Sequence, residues 1–325
     1  MVFCSIVSEA LGQIIRDTMT IAFISHRDCL LHDMGAHHPE CPDRIGAIQD
    51  RLIAAGLDLY LNYHDAPVAE MEQLLRAHPQ SYIDMIFASV PEHGIHHLDP
   101  DTAMSPGTLK AALRAAGAGV LATDLVMKKE APAAFCAVRP PGHHAEHARS
   151  MGFCFFNNIV VAARHALVAW GLQRVAIIDF DVHHGNGTEN IVENDPRVLM
   201  VSMFQHPFYP YCGTDDPAPN MCNVPMKAGL RGDGFREMVA EKWLPRLREF
   251  APEMIFISAG FDAHYEDDMA SMGLVEADYA WVTEQLLQVA KESAQGRIVS
   301  MLEGGYALSA LARSVCAHIK ALAEI

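Results

Sequence analysis

The feature that most restricts the fold of this chain is a series of apolar runs, each apolar along its whole length and separated from the next by a helix-like stretch. The clearest runs are Ile21–Ser25, Ala134–Val138, Val175–Ile178, Val198–Met203, Ile255–Ala259 and Ile298–Leu302. A strand that is apolar at every position is covered on both faces. The stretches 107–128, 159–170, 234–250 and 277–293 lie between the runs and carry apolar residues at helical spacing. Covered strands alternating with helices fold as a parallel sheet between two helical layers. Half of the 325 residues are hydrophobic and 20% are charged, enough to fill so large a core. No Gly/Ser- or Pro-rich linker and no internal repeat breaks the pattern, so one large α/β domain over residues 19–325 is expected. Residues 1–18, which precede a second methionine at Met19, are expected to form a peripheral N-terminal extension.

Four of the runs end in polar clusters. Arg139-Pro140-Pro141-Gly142-His143-His144-Ala145 follows the second run, and Asp179-Phe180-Asp181-Val182-His183-His184-Gly185-Asn186-Gly187-Thr188 follows the third. Gly260-Phe261-Asp262-Ala263-His264 and Glu303-Gly304-Gly305-Tyr306 follow the last two. Open parallel sheets bind ligands beyond the carboxyl ends of their strands. The four clusters are therefore expected to meet in one site, although they span more than half the sequence.

The bulk composition narrows the partners. A net charge of −16 with no basic stripe argues against a nucleic-acid backbone and is compatible with cationic ligands. No run is long enough to cross a bilayer, and the start, Met1-Val2-Phe3-Cys4-Ser5, lacks the basic region and clean apolar core of a secretory signal. A cytoplasmic location is the expectation. The eight cysteines are scattered without a CxxC pair and are expected to be reduced thiols.

In extended chain, side chains two residues apart share a face, so Asp179, Asp181 and His183 can project together. Asp181, His183 and Asp262 would supply three N/O ligands to one ion such as Zn2+, leaving a position open, the pattern of a catalytic zinc. The same donors accept Fe(II) or Co(II). His143 and His144, presented together on a Pro-Pro-Gly turn, suit proton transfer and need partners on their second ring nitrogens. Asp179 and Asn186 are the candidates. A carboxylate partner favours imidazolium and an amide does not, so the two histidines are expected to titrate differently. Tyr306, on a flexible Gly-Gly turn, can bring its hydroxyl over the ion and hold an oxyanion.

At this point the residues resemble a family. Arg139–Ala145, Gly152-Phe153-Cys154-Phe155-Phe156-Asn157-Asn158, Asp179–Thr188, Ala259–Asp262 and Glu303–Tyr306 are similar to the zinc-dependent histone deacetylase and acetylpolyamine amidohydrolase superfamily, from about residue 20 to the end. The resemblance implies the arginase-deacetylase fold, a three-layer α/β/α domain around an eight-stranded parallel sheet. It implies that Asp181, His183 and Asp262 bind zinc, that His143 and His144 act as general base and acid, and that Tyr306 polarises the amide carbonyl. It further implies a narrow tunnel for an acyl-lysine side chain, with Gly152 and Phe153 on one wall and Tyr209 on the other. A structural K+ site at Asp179, Asp181, His183, Ser202 and Met203 follows from the same likeness, as does an arginine, Arg44, near an internal exit channel for acetate. Asn186, where class I members usually carry Asp, makes the chain class II-like.

The activity so implied is hydrolysis of acetyl or other short acyl groups from the lysine side-chain amine of proteins or peptides, with hydroxamates expected to bind the zinc. The alternative is an acetylpolyamine deacetylase. Polyamine-selective relatives place an acidic residue at a gate that falls on Met269 here, and the apolar side chain favours acyl-lysine. A two-manganese ureohydrolase would need an Asp-x-Asp pair after the third ligand, where this chain has Asp262-Ala263-His264. A non-catalytic acetyl-lysine binding module should lack a metal ligand or the tyrosine, and none is missing.

Overall fold

The computed structural model describes residues 20–325; the proposed extension over residues 1–18 lies outside the described residues. Eight strands form one sheet: β1 (Ile21–Ser25), β2 (Leu61–Asp65), β5 (Ala133–Cys136), β6 (Val175–Asp179), β7 (Val198–Gln205), β8 (Met221–Met226), β9 (Met254–Ala259) and β10 (Ile298–Leu302). Their order is β2-β1-β5-β10-β9-β6-β7-β8, and every neighbouring pair is parallel. A separate antiparallel pair, β3 (His96–Asp99) and β4 (Thr102–Met104), stands apart from the sheet.

Alternate residues of each strand enter opposite cores, which is what covers both faces of the sheet. Ile21, Phe23, Ala176, Ile178, Ile255 and Ile257 pack with residues of helices α1 (Asp43–Ala54), α9 (Glu276–Ser293) and α10 (Leu308–Ala323). Ala22, Ile24, Val175, Ile177, Met254 and Phe256 pack on the other side with α4 (Thr108–Met127) and α5 (Asn158–Ala169). Each large apolar side chain so buried contributes about 1.5–3 kcal/mol. The result is a three-layer α/β/α domain.

The strand order explains why the clusters meet. β5, β10, β9 and β6, whose polar clusters are far apart in sequence, are four consecutive strands at the centre of the sheet. All four point the same way, so their carboxyl ends open onto one surface. Among the described residues, no helix is long and apolar enough to cross a membrane, and the seven described cysteines are free.

Candidate active site

β6 ends at Asp179, and the chain beyond it bends so that Asp181 and His183 face Asp262 at the end of β9. One ligand atom from each of Asp181, His183 and Asp262 lies within 4.8 Å of the others, the one such cluster found among the described residues. His183 Nδ1 is 3.1 Å from both Asp181 Oδ1 and Asp262 Oδ2. The other carboxylate atoms are fixed by main chain: Gly304 N donates to Asp181 Oδ2 at 2.8 Å and Val182 N to Asp262 Oδ1 at 2.9 Å. Approach this close requires glycine. A Cβ on Gly260 would stand 2.0 Å from Asp181 Oδ2, and one on Gly304 would stand 2.1 Å from Asp262 Oδ2.

The three donors act strongly on one another's protonation. Burial disfavours imidazolium, yet the Asp181 and Asp262 carboxylates raise the pKa of His183 to about 10. Burial and the neighbouring Asp181 charge push the Asp262 carboxyl up to about 7. Two buried carboxylates and one imidazole within this span fit one divalent ion of zinc type.

The histidine pair stands beside this set. His143 Nδ1 lies 2.9 Å from Asp179 Oδ2, His143 Nε2 lies 3.8 Å from Asp181 Oδ2, and His144 Nδ1 lies 2.7 Å from Asn186 Oδ1. The two rings are 4.0 Å apart. They titrate in opposite directions. Burial would lower His143, but Asp181 and Asp179 hold it well above the usual histidine value. Burial lowers His144, and the charges of His143 and His183 push it further down.

Aromatic rings surround the site. Phe153 meets Tyr306 edge to face at 6.0 Å and His38 at 4.8 Å. The long loop between β1 and α1 therefore reaches the wall that carries Gly152 and Phe153. On the other side Tyr209 stands edge-on to His144 at 5.2 Å, while its neighbour Phe208 stacks on His183 at 5.6 Å. Met269 is half-buried on the loop after β9. The Gly-Gly-Tyr turn is less free than its glycines suggest. Arg44 Nε donates to Gly305 O at 2.7 Å, Nη2 donates to Glu303 O, and the guanidinium lies 5.0 Å from the centre of the Tyr306 ring.

The residues matched to a K+ site also adjoin one another, since Asp179 and Ser202 are register partners on β6 and β7 and Met203 follows. His184 turns away from the metal-type cluster: its Nδ1 is 3.2 Å from Ser202 Oγ and its Nε2 pairs with Glu189.

Sequence reasoning passed over Glu303. Its carboxylate is fully buried and accepts from Gly142 N at 2.7 Å and His143 N at 3.1 Å, so it clamps the turn that carries the histidines. The available signal was an acidic residue directly after an apolar strand. Glu40 was also missed. It is fully buried between Arg139 and Arg44, and nothing in local pattern foretells a contact across 99 residues.

Comparison with known proteins agrees with this geometry. Residues 38–322 match the family described as histone deacetylase domain. A histone deacetylase-like amidohydrolase of Pseudomonas aeruginosa is 34% identical, over 89% of this chain and 82% of its own length. A mouse protein named polyamine deacetylase HDAC10 is 35% identical over 94% of this chain, which spans 48% of the mouse protein. The crystal structure of the HDA15 HD domain is similar with a TM-score of 0.87 and 31% identity, covering 94% of this chain and 90% of that one. An eight-stranded parallel sheet with helices on both faces is the α/β arginase-deacetylase fold. With the family match running over residues 38–322, the chain belongs to the histone deacetylase family of amide hydrolases.

Proposed function

We propose that this protein is a zinc-dependent deacetylase that removes acetyl or other short acyl groups from the lysine side-chain amine of peptides or proteins, releasing acetate. The observation that carries the reading is the buried Asp181–His183–Asp262 set lying directly beside two histidines with unlike partners. Asp181, His183 and Asp262 would hold the zinc, which when bound supplies a Lewis acid and makes water a stronger acid. A cation held by Asp181 would cancel that carboxylate's pull on the ring, and His143 would then accept the proton of the attacking water, with Asp179 at Nδ1 stabilising the imidazolium that forms. His144 has no carboxylate on Nδ1, so it holds a proton weakly and suits relaying the one taken from water to the leaving amine, which leaves both rings at their starting charge. Burial holds the Tyr306 phenol far above its ordinary pKa despite the nearby Arg44 charge, so it stays a hydrogen-bond donor to the oxyanion of the tetrahedral intermediate. Phe153, Tyr209 and Phe208 would line the path of an extended acyl-lysine chain and exclude water from it. A K+ ion at Asp179, Asp181, His183, Ser202 and Met203 is proposed on family likeness, as is binding of hydroxamates to the zinc.

Polyamine deacetylation is the second reading, favoured by the mouse relative's name. Met269 at the gate favours acyl-lysine, since an apolar side chain offers nothing to a distal ammonium. Two measurements test the proposal. Tyr306→Phe should keep its zinc while kcat on an acetyl-lysine peptide falls on the order of 10²–10³-fold, the effect of removing one oxyanion donor. Near-wild-type turnover in that variant would remove Tyr306 from the reaction. Comparing the acetyl-lysine peptide with N-acetylputrescine and N-acetylspermidine decides the substrate class, and a strong preference for the polyamines would reverse the choice.

A further inference from the structure

Asp267 lies five residues beyond Asp262 on the loop between β9 and α9, and it is 5% exposed. It has no Lys or Arg partner among the described ion pairs, so its charge is met by main chain instead. Oδ2 accepts from Tyr306 N at 2.6 Å and from Ala307 N at 2.9 Å. Oδ1 accepts from Met269 N at 3.0 Å, and the residue's own N–H donates to His264 O at 2.9 Å. Ala307 caps α10, so the carboxylate also sits at the positive end of that helix. Arg44 grips the carbonyls of Glu303 and Gly305 from the other side of the turn. The turn is thus held by a cation on its C=O groups and an anion on its N–H groups.

We propose that Asp267 is a positioning residue that joins two loops of the site. One oxygen sets the turn that aims Tyr306, and the other sets the backbone of Met269 at the gate. The inference rests on the deacetylase reading for its kinetic consequence, but not for its structural one. A buried carboxylate satisfied by three amides from two loops fixes their relative position, because moving either loop leaves a charged oxygen or an amide unpaired. Displacing a reacting group by about 1 Å costs on the order of 10²-fold in rate.

The test is Asp267→Asn, which keeps size and shape but replaces one acceptor oxygen with a donor. An acetyl-lysine peptide and its trifluoroacetyl counterpart are compared at steady state. The trifluoroacetyl carbonyl is intrinsically more electrophilic and depends less on the tyrosine hydroxyl. If Asp267 aims Tyr306, kcat on the acetyl substrate falls on the order of 10²-fold with KM changed little, and the trifluoroacetyl substrate loses much less. In the Tyr306→Phe background the same substitution should add little. Equal loss on both substrates, or full additivity with Tyr306→Phe, would overturn the role. Hydrogen exchange gives a readout without turnover: the amides of Tyr306, Ala307 and Met269 should exchange faster in the variant, while those of Gly142 and His143 do not. Unchanged exchange at the first three would overturn the anchor. A wild-type chain inactive on both substrates would instead refute the deacetylase reading, with exchange still judging Asp267. Should the Asn variant not fold, Asp267→Glu, which keeps the carboxylate but lengthens it, carries both comparisons with a smaller expected loss.

Discussion

Glu40 offers the most direct test of how this fold tolerates charge beneath the site. Its carboxylate is fully buried, as are both arginines around it. Arg139 Nε donates to Oε1, Arg139 Nη2 to Oε2 at 2.7 Å, and Arg44 Nη1 to Oε1 at 3.3 Å. His32 Nε2 lies 3.2 Å from Oε2. Burial alone would raise the pKa of Glu40, but Arg139, His32 and Arg44 outweigh it and hold the carboxyl well below the ordinary glutamate range. Glu40→Gln removes the only carboxylate that pairs with either guanidinium among the described ion pairs. Removing one partner of a buried pair costs about 3–5 kcal/mol, a large share of a typical total of about 5–15 kcal/mol. The assay is urea unfolding followed by tryptophan fluorescence, for which the fully buried Trp243 is a reporter. The pH dependence supplies a second signature. A carboxyl whose folded pKa is depressed stabilises fully above its unfolded value, near 4.5, and loses that contribution as pH falls through the folded value. The gap between wild type and Glu40→Gln should therefore be constant from pH 8 to about 5.5 and shrink below about 4.5. A gap under about 1 kcal/mol, the scale of an exposed ion pair, would refute the reasoning. So would a gap that does not change in acid.

Three further outcomes are expected. His78 and His318 are buried with pKa values lowered by burial to about 4 and about 3. Their neutral forms stabilise the fold above pH 6.5, and this contribution is lost as pH falls toward those values. Acid unfolding of His318→Gln should thus be shallower by up to about 1.4 kcal/mol per pH unit below 6.5, and an unchanged slope would contradict the burial argument. Met269→Glu should shift the ratio of kcat/KM toward N-acetylspermidine by roughly tenfold, or about 1.4 kcal/mol; no shift would mean that Met269 does not face the distal amine. Chelation should abolish turnover, with one equivalent of Zn2+ restoring it, and Asp181→Ala should fail to recover; full activity after exhaustive chelation would remove the metal from the reaction.

Much of this architecture was legible because its signals are local. Six of the eight sheet strands are apolar runs, and the pairs His143–Asp179 and His144–Asn186 join residues of the quoted clusters. The two strands that went unread, β2 and β8, lie at the sheet edges. Leu61–Asp65 exposes most of its side chains, and Met221–Met226 contains Pro225, tolerated where one side of the ladder is free. Neither has to be apolar throughout, so neither stands out. The stretch 234–250 reads as one helix, but the structure divides it into α7 (Gly232–Met238), a π turn (Val239–Trp243) and α8 (Leu244–Phe250). Pro245 has no N–H to give the preceding turn, and the wider turn absorbs the missing bond.

What was not legible shares a different character. Glu40, Glu303 and Asp267 engage partners far along the chain: Glu40 pairs with Arg139 and Arg44, while Glu303 and Asp267 accept from the peptide N–H groups of His143 and Tyr306 rather than from their side chains. A side chain that bonds a distant peptide group leaves no spacing signature, because its partner can be any residue. Yet these groups fix the turns on which His143 and Tyr306 stand, while Asp181, His183 and Asp262 are the proposed cation site. The two sets should therefore separate by measurement. Variants of the cation set should lose zinc and turnover together, whereas variants of the buried anchors should keep one zinc per chain and lose kcat. An anchor variant that lost its zinc in proportion to its activity would show that the cation site, too, is held in shape by the same buried charges.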